Sequence, residues 1–495
     1  MSNALDDVTE QTLDAIKKAQ TTGILVDTGI TSYDLSGIVS LIPVVTPLRD
    51  KIAREQSSDG NAFATWRAYM DVTNQQPRAT MGFDYAANEV IYYEQDFQAR
   101  YKPVGLAGLV TQDSLDLAKG YADTYAQASF QTLNQVLIAE DKLLFGGQSF
   151  VLPRPAAPTL VQSASGGSIG TTTVYVAVAA RTGSGYYYGG NSRGNSANSV
   201  FASGSTNKLT ASVAAVKGAV AYDWFQSANG STWYYYSTTT VANVVMTAVI
   251  GANQPVGNVL TLPDLASWLP TVNLAADNGS APLGADSNPT EFDGLFASIT
   301  GDYNASGQLV TAGTATANGA TWIDLAGAAL TLNGGTVTEL DTLFAYLWGK
   351  VKCSPTAIMM NAVTAQKIAY LILGSASATT FLNTDASGRI NVTAGGRVGQ
   401  VINTPAGGVE VPIEVHVSIP PGTIVARTDR VPFPQAGISN TLAVRTLRDM
   451  TQFDYAAARV AGTKGGGPRK EFEIRSVEAF VNRAPVAMGA IVNIG

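Results

Sequence analysis

The chain has 495 residues and a net charge of −7, from 31 Lys and Arg against 38 Asp and Glu. Only 14% of it is charged, where ordinary globular chains carry about 25%, so much of its surface is expected to lie against partners. The acidic balance argues against a dedicated nucleic-acid binder, one Cys excludes an intrachain disulfide framework, and one His excludes a multi-histidine zinc site.

Taken from the start, 1–7 lack a basic stretch followed by an apolar core, so no signal peptide is expected, and no apolar run approaches the span of a membrane helix. A weak amphipathic helix is predicted over Asp6–Ala19. Thr21–Arg54, rich in Thr, Gly and Val and broken by Pro43 and Pro47, reads as an extended arm without a core of its own, which ordering entropy forbids unless it lies on something else. Ala62–Asp71 and Glu89–Tyr101 read as two strands of a long hairpin around the polar stretch Val72–Asn88. Such a hairpin is marginal alone in water.

Thr111–Phe145 carries Leu115, Ala118, Ala122, Tyr125, Phe130, Leu133, Leu137, Ile138 and Leu144 at helical spacings, which predicts one helix spanning about 45–50 Å. At Pro153 the composition changes: no Glu occurs between Glu140 and Glu291. Short alternating runs follow at Thr173–Val178, Ala219–Phe225, Trp233–Tyr236 and Val241–Ile250, the pattern of an all-β sandwich. Tyr186, Tyr187 and Tyr188 lie in a Gly-rich stretch there; they read first as an exposed hairpin tip and second as a glycan-contact patch. A mixed pattern resumes after Pro270. Thr336-Val337-Thr338-Glu339 reads as a capping box opening a helix to Lys352, Ala357–Met360 as a buried strand, and Asn361 as the cap of a helix to about Ile372. His416 falls in an alternating run and reads as a plain strand position, and Cys353 as an inert thiol. Thr446–Val460 and Glu471–Val481 are two long strands flanking a turn that contains Lys464, Arg469 and Lys470; those three could touch phosphate, but a solvated turn is the simpler reading.

There is no phosphate loop or dinucleotide fingerprint. The carboxylate pairs Asp113/Asp116, Glu140/Asp141 and Glu471/Glu473 do not have the disposition of an acid–base dyad, and no cofactor or metal is expected.

The order of these elements resembles the major capsid proteins of tailed phages with the Hong Kong 97-type fold. The resemblance rests on the Ala62–Tyr101 hairpin (extended loop), the Thr111–Phe145 helix (spine), the stretch Asn288–Leu295, Thr336–Ile372 (axial domain) and Arg445–Val492 (peripheral strands). It implies an α+β capsid fold: N-terminal arm 1–60, extended loop 61–108, spine-helix region 109–152, an inserted immunoglobulin-like β-sandwich 153–270 facing outward, a return segment 271–330, axial domain 331–430 and closing strands 431–495. It implies assembly into hexamers and pentamers of an icosahedral virion shell around double-stranded DNA, in the host cytoplasm, with a portal and a separate scaffolding protein or none. Arg49, Arg54, Trp66, Arg78, Phe83, Tyr85, Arg469 and Lys470 are the candidates for contacts between subunits. The loop holds Arg78 but no lysine, which departs from members that cross-link through a loop lysine. The alternatives are an encapsulin-like compartment and, further off, a surface adhesin that binds carbohydrate, or a glycosidase.

Overall fold

The computed structural model describes residues 44–57, 60–72, 83–84, 92–118, 123–150, 152–153, 155–183, 186, 198–202, 204–229, 234–249, 292–314, 316–317, 319–333, 336–373, 383–384, 390–391, 398–431, 440–455 and 469–495. The predicted Asp6–Ala19 helix and most of the arm lie outside them. In chain order the main elements are β1 (Ala53–Gln56), β2 (Phe63–Val72), β3 (Tyr92–Arg100), β4 (Lys102–Thr111), α1 (Gln112–Leu117) and α2 (Thr124–Gly146). Seven strands follow: β5 (Thr159–Ser163), β6 (Thr172–Arg181), β7 (Asn198–Ala202), β8 (Lys208–Ser212), β9 (Ala221–Ser227), β10 (Tyr234–Thr239) and β11 (Asn243–Met246). Then come α3 (Leu295–Thr300), β12 (Thr321–Asp324), α4 (Thr338–Val351), β13 (Ala357–Met360), α5 (Ala362–Leu373), β14 (Gln400–Asn403), β15 (Val409–Val415) and β16 (Ile424–Arg427). The chain closes with β17 (Leu442–Tyr455), β18 (Arg469–Asn482) and β19 (Gly489–Val492).

One sheet has the order β1-β17-β18-β4. β17 and β18 pair antiparallel, and β1 lies parallel to β17 with Ala53 opposite Ala443. α2 covers one face of this sheet, where Val110, Val136, Phe472 and Ile474 are buried together. The base of the β2–β3 hairpin covers the other, where Ala64 and Tyr101 pack with Ala479 and Val481.

A second, six-stranded sheet has the order β12-β19-β16-β13-β15-β14 and mixes parallel with antiparallel pairs. Its central strands β13, β16 and β19 are buried on both faces, whereas β14 and β15 alternate between buried and exposed positions. Ile358, Met360, Ile424 and Ala426 pack under Leu340, Phe344 and Leu347 of α4 and Ile368 of α5. Their neighbours Met359 and Val425 face Phe145 of α2 and Phe296 of α3 in the central core. Glycine is required where α2 ends against α3: a Cβ on Gly294 would stand 2.5 Å from the Leu143 carbonyl oxygen.

The third unit is a sandwich of β10-β9-β6-β7 over β11-β8-β5, around Val176, Val178, Leu209, Tyr222, Trp224 and Met246. Its buried polar tips are satisfied: the Trp224 indole donates to Thr239 Oγ1 at 2.8 Å, and Tyr222 OH accepts from the Val216 amide at 3.0 Å. The two-sheet sandwich agrees with the sequence pattern. The strand order does not follow the immunoglobulin plan, in which the first, second, fifth and fourth strands share a sheet. Here, among the described strands, the first, fourth and seventh do. Alternation reports which residues are buried, not which strand lies beside which. The sandwich is fused to the body, since Val220 and Ala221 belong to the central core with Phe145 and Phe296.

Other expectations also need correction. The single helix over Thr111–Phe145 is two: Thr111 ends β4 and caps α1 at the Ser114 amide, and Asp123 caps α2 at the Ala126 amide at 3.0 Å. α2 has 23 residues, so it spans about 34 Å rather than 45–50. β4 had no counterpart in the sequence reading, because Gly105 and Gly108 interrupt its alternation. The capping box is not formed: Glu339 accepts from the Thr331 amide and hydroxyl, Thr336 bonds Asp341, and Val337 occupies the cap position. Asn361 does cap α5, accepting from the Val363 amide at 2.9 Å.

Candidate functional site: the arm seat and the projecting hairpin

The described end of the arm, 44–57, packs into its own subunit. Leu48 is fully buried and Ile52 nearly so, both in the central core. This corrects the expectation that the arm finds support only on something else: this portion carries two core side chains, and β1 completes the first sheet.

Charge fastens it there. Arg49 Nε donates to buried Glu140 at 2.9 Å, and Arg54 bonds the other oxygen of Glu140 and lies 3.5 Å from buried Glu478. Lys51 pairs with Glu414 at 2.5 Å, and Glu55 with Arg483 at 2.5 Å. Burial pulls the Arg54 guanidinium below its ordinary range and pushes the Glu478 carboxyl up, with each partly restoring the other. Arg49 and Arg54, named as candidates for contacts between subunits, are thus engaged inside their own chain.

Beneath them sits a pair that sequence reasoning passed over. Asp141 Oδ1 accepts from the amides of Leu48 at 3.0 Å and Arg49 at 2.9 Å. Its Oδ2 lies 3.2 Å from Nε2 of His416. His416 is beyond the end of β15, not a strand position, and its Nδ1 accepts from the Ser418 amide at 3.0 Å. Nδ1 is therefore bare, and the ring's single proton sits on Nε2. Desolvation, then Arg427 and Lys51, push His416 down to about 4, while desolvation pushes Asp141 up to about 6. Backbone amides occupy only Oδ1 and Nδ1, Oδ2 and Nε2 face each other, and both side chains are shut away from solvent, so the pair holds the arm and presents neither group to a substrate. The signal available in the sequence was a chain with one His and an adjacent Glu140-Asp141 pair; nothing in the spacing links residue 141 to residue 416.

The hairpin is held at its base. Phe97 is buried, stacked on Trp66 with ring centroids 5.7 Å apart and edge-on to Tyr303 at 4.5 Å. Trp66 therefore lies in the base rather than on an outer surface. Arg67 is exposed and forks onto Asp96 and Glu94. Between the strands, Phe83 is 98% exposed. Arg78 and Tyr85 lie outside the described residues.

Arg469 pairs with Glu471 at 2.6 Å, and the Lys470 ammonium sits 3.7 Å from the Tyr125 ring centre, so neither is a free phosphate contact. Arg469 and Lys470 open β18 rather than lying in a turn. Tyr186 is half-buried against the central core, not exposed at a tip, and Tyr187 and Tyr188 lie outside the described residues. An open cleft of about 510 Å³ between α2 and β17–β18 is lined by Tyr125, Ser129, Phe130, Leu133, Met450 and Gln452, a set with no acid–base pair. Among the described residues there is no group of three or more metal-ligating side chains, and no helix is long and apolar enough to cross a membrane.

No protein-family model matches the chain, and no curated protein does. Solved structures similar to it include the cyanophage A-1(L) capsid asymmetric unit, at 9% identity, covering 96% of this chain and 99% of that one with a TM-score of 0.45. Also similar are the capsid of a native GTA particle, at 10% identity, 96% and 98% coverage and TM-score 0.41, and that of cyanophage P-SCSP1u, at 10%, 94% and 92%, and 0.38.

Proposed function

We propose that this chain is a shell subunit: the major capsid protein of a tailed bacteriophage, without enzymatic activity. Copies join as hexamers and pentamers of an icosahedral virion shell that encloses double-stranded DNA, assembled in the host cytoplasm. In this reading the β2–β3 hairpin is the extended loop, α2 the spine, the six-stranded sheet with α4 and α5 the axial domain, and β17–β18 the peripheral strands. The β5–β11 sandwich decorates the outer surface.

The observation that carries the reading is the hairpin. Two strands of ten and nine residues are secured to their own subunit at one end, while Phe83 between them stands in water. A two-stranded ribbon bearing an exposed aromatic side chain is marginal in water, and a neighbouring subunit supplies the missing surface. The exposed apolar side chains Leu109, Phe130, Tyr370 and Val417 add surface that a crowded shell would cover. The acidic balance keeps packaged DNA from adhering to the wall.

Electron microscopy of the expressed chain tests this. Hollow icosahedral particles are expected, and a monodisperse monomer under all assembly conditions would overturn the reading. Nuclease-protected double-stranded DNA in particles purified from the native source distinguishes a virion shell from an encapsulin-like compartment.

A further inference from the structure

Every open sheet presents edge strands, and proteins protect them with charges, bulges, proline or brevity. Most edges here are protected in these ways. β1, β12 and β14 have four residues each. Beyond Thr446 the free side of β17 carries Arg448, Asp449 and Asp454, and its pairing with β18 slips twice. The hairpin strands carry Arg67, Glu94, Asp96 and Arg100, with one slip in register. The sandwich edges have at most six residues.

β4 is different. It has ten residues and pairs with β18 from Lys102 opposite Glu478 to Thr111 opposite Arg469 without a slip. No described strand pairs with its other side. Past Pro103, from Val104 to Val110, it holds neither charge nor proline, while Leu106 and Leu109 are 41% and 48% exposed. Its glycines are accounted for within the subunit: a Cβ on Gly108 would stand 2.2 Å from the Phe472 ring, and one on Gly105 would stand 2.4 Å from the Ile474 carbonyl oxygen. They serve the packing against β18.

We propose that the outer edge of β4 from Val104 to Val110, which no described strand pairs, is a strand-pairing seam occupied by β4 of a second copy, running antiparallel about a two-fold axis. The seam joins two four-stranded sheets into one. An uncharged strand is self-complementary, since no like charges from 103 to 111 meet across the axis, and such an isologous contact closes on itself. The choice of a second copy over a foreign strand also rests on the shell reading above. β4 continues directly from β3 through buried Tyr101, so the seam would set the direction in which each hairpin leaves.

The test is a double variant, Ala107→Lys with Leu109→Lys. These positions lie opposite Glu473 and Glu471 in the subunit's own sheet, so the new ammonium groups have partners there while lining the seam with like charge. The expected result is an unchanged thermal melt of the unassembled chain with particle yield reduced by at least about tenfold. In wild-type particles, hydrogen exchange across 102–111 is expected to be at least about tenfold slower than in dissociated subunits. Particles that form with the variant at wild-type yield, or whose 102–111 amides exchange as fast as in free subunits, overturn the seam and leave the shell reading standing. A wild-type chain that stays monomeric under all conditions overturns both.

Discussion

Nε2 of His416 stands 3.2 Å from Oδ2 of Asp141, with both side chains sealed from solvent. The two groups shift in opposite senses. His416 titrates near 6.5 when unfolded and at about 4 when folded, so on its own it removes stability as pH falls from 6.5 to 4. Asp141 is raised from 3.8 to about 6, so on its own it removes stability as pH rises over that interval. The contributions largely cancel, and the pair gives a shallow pH dependence between about 4 and 6. Asp141→Asn uncovers the histidine term: its stability is expected to fall, relative to wild type, by on the order of 3 kcal/mol from pH 6.5 to 4. Melting curves across that range check this, and parallel slopes for the two proteins would refute it.

Glu140 is the shared acceptor of two arm arginines. Glu140→Ala leaves Arg49 and Arg54 partly buried without their carboxylate, and removing one partner of a buried pair costs about 3–5 kcal/mol. Because both guanidinium groups keep some solvent contact, about 2–3 kcal/mol is expected. Chemical denaturation measures it, and limited trypsinolysis at Lys51 and Arg54 is expected to accelerate.

Phe97 and Phe83 lie on the same hairpin and separate folding from assembly. Phe97→Ala removes a buried ring between Trp66 and Tyr303, at an expected cost of about 3–4 kcal/mol. Phe83→Ser changes a side chain that touches water, so its effect on the melt is expected to stay within about 0.5 kcal/mol. Particle yield is expected to fall all the same; a normal yield would remove Phe83 from the subunit contact.

Asp123 restarts the helix after α1. Asp123→Ala removes the cap on the Ala126 amide and is expected to cost about 1 kcal/mol, read by chemical denaturation.

Periodicity located most of the elements. The paired strands around Trp66 and Phe97, the Asn361 cap and the two long strands near the C-terminus were legible, because each reports a repeat or a local bond within a few residues; the apolar stripe of α2 was legible in part, since Leu133 and Leu144 pack inward while Phe130 is exposed and Val136, outside the stripe, is buried. The misreadings share a cause. Thr111–Phe145 keeps one apolar stripe across the break at Asp123, since a stripe records facing and not continuity. β4 was invisible because its glycines answer to Phe472 and Ile474, more than three hundred residues away. The candidate contact residues divide in the same way: Phe83 stands in solvent, whereas Arg49, Arg54 and Trp66 are engaged within the subunit.

The residue order alone thus determined the class of the molecule: a charge-poor α+β chain, rich in strands, with an all-β unit after the helix. Tertiary structure alone decided where the arm end lies, that Asp141 meets His416, and which described strands neighbour one another in each sheet. Those are long-range choices, set by burial and by pairing partners brought together only when distant segments pack, and no local pattern encodes them.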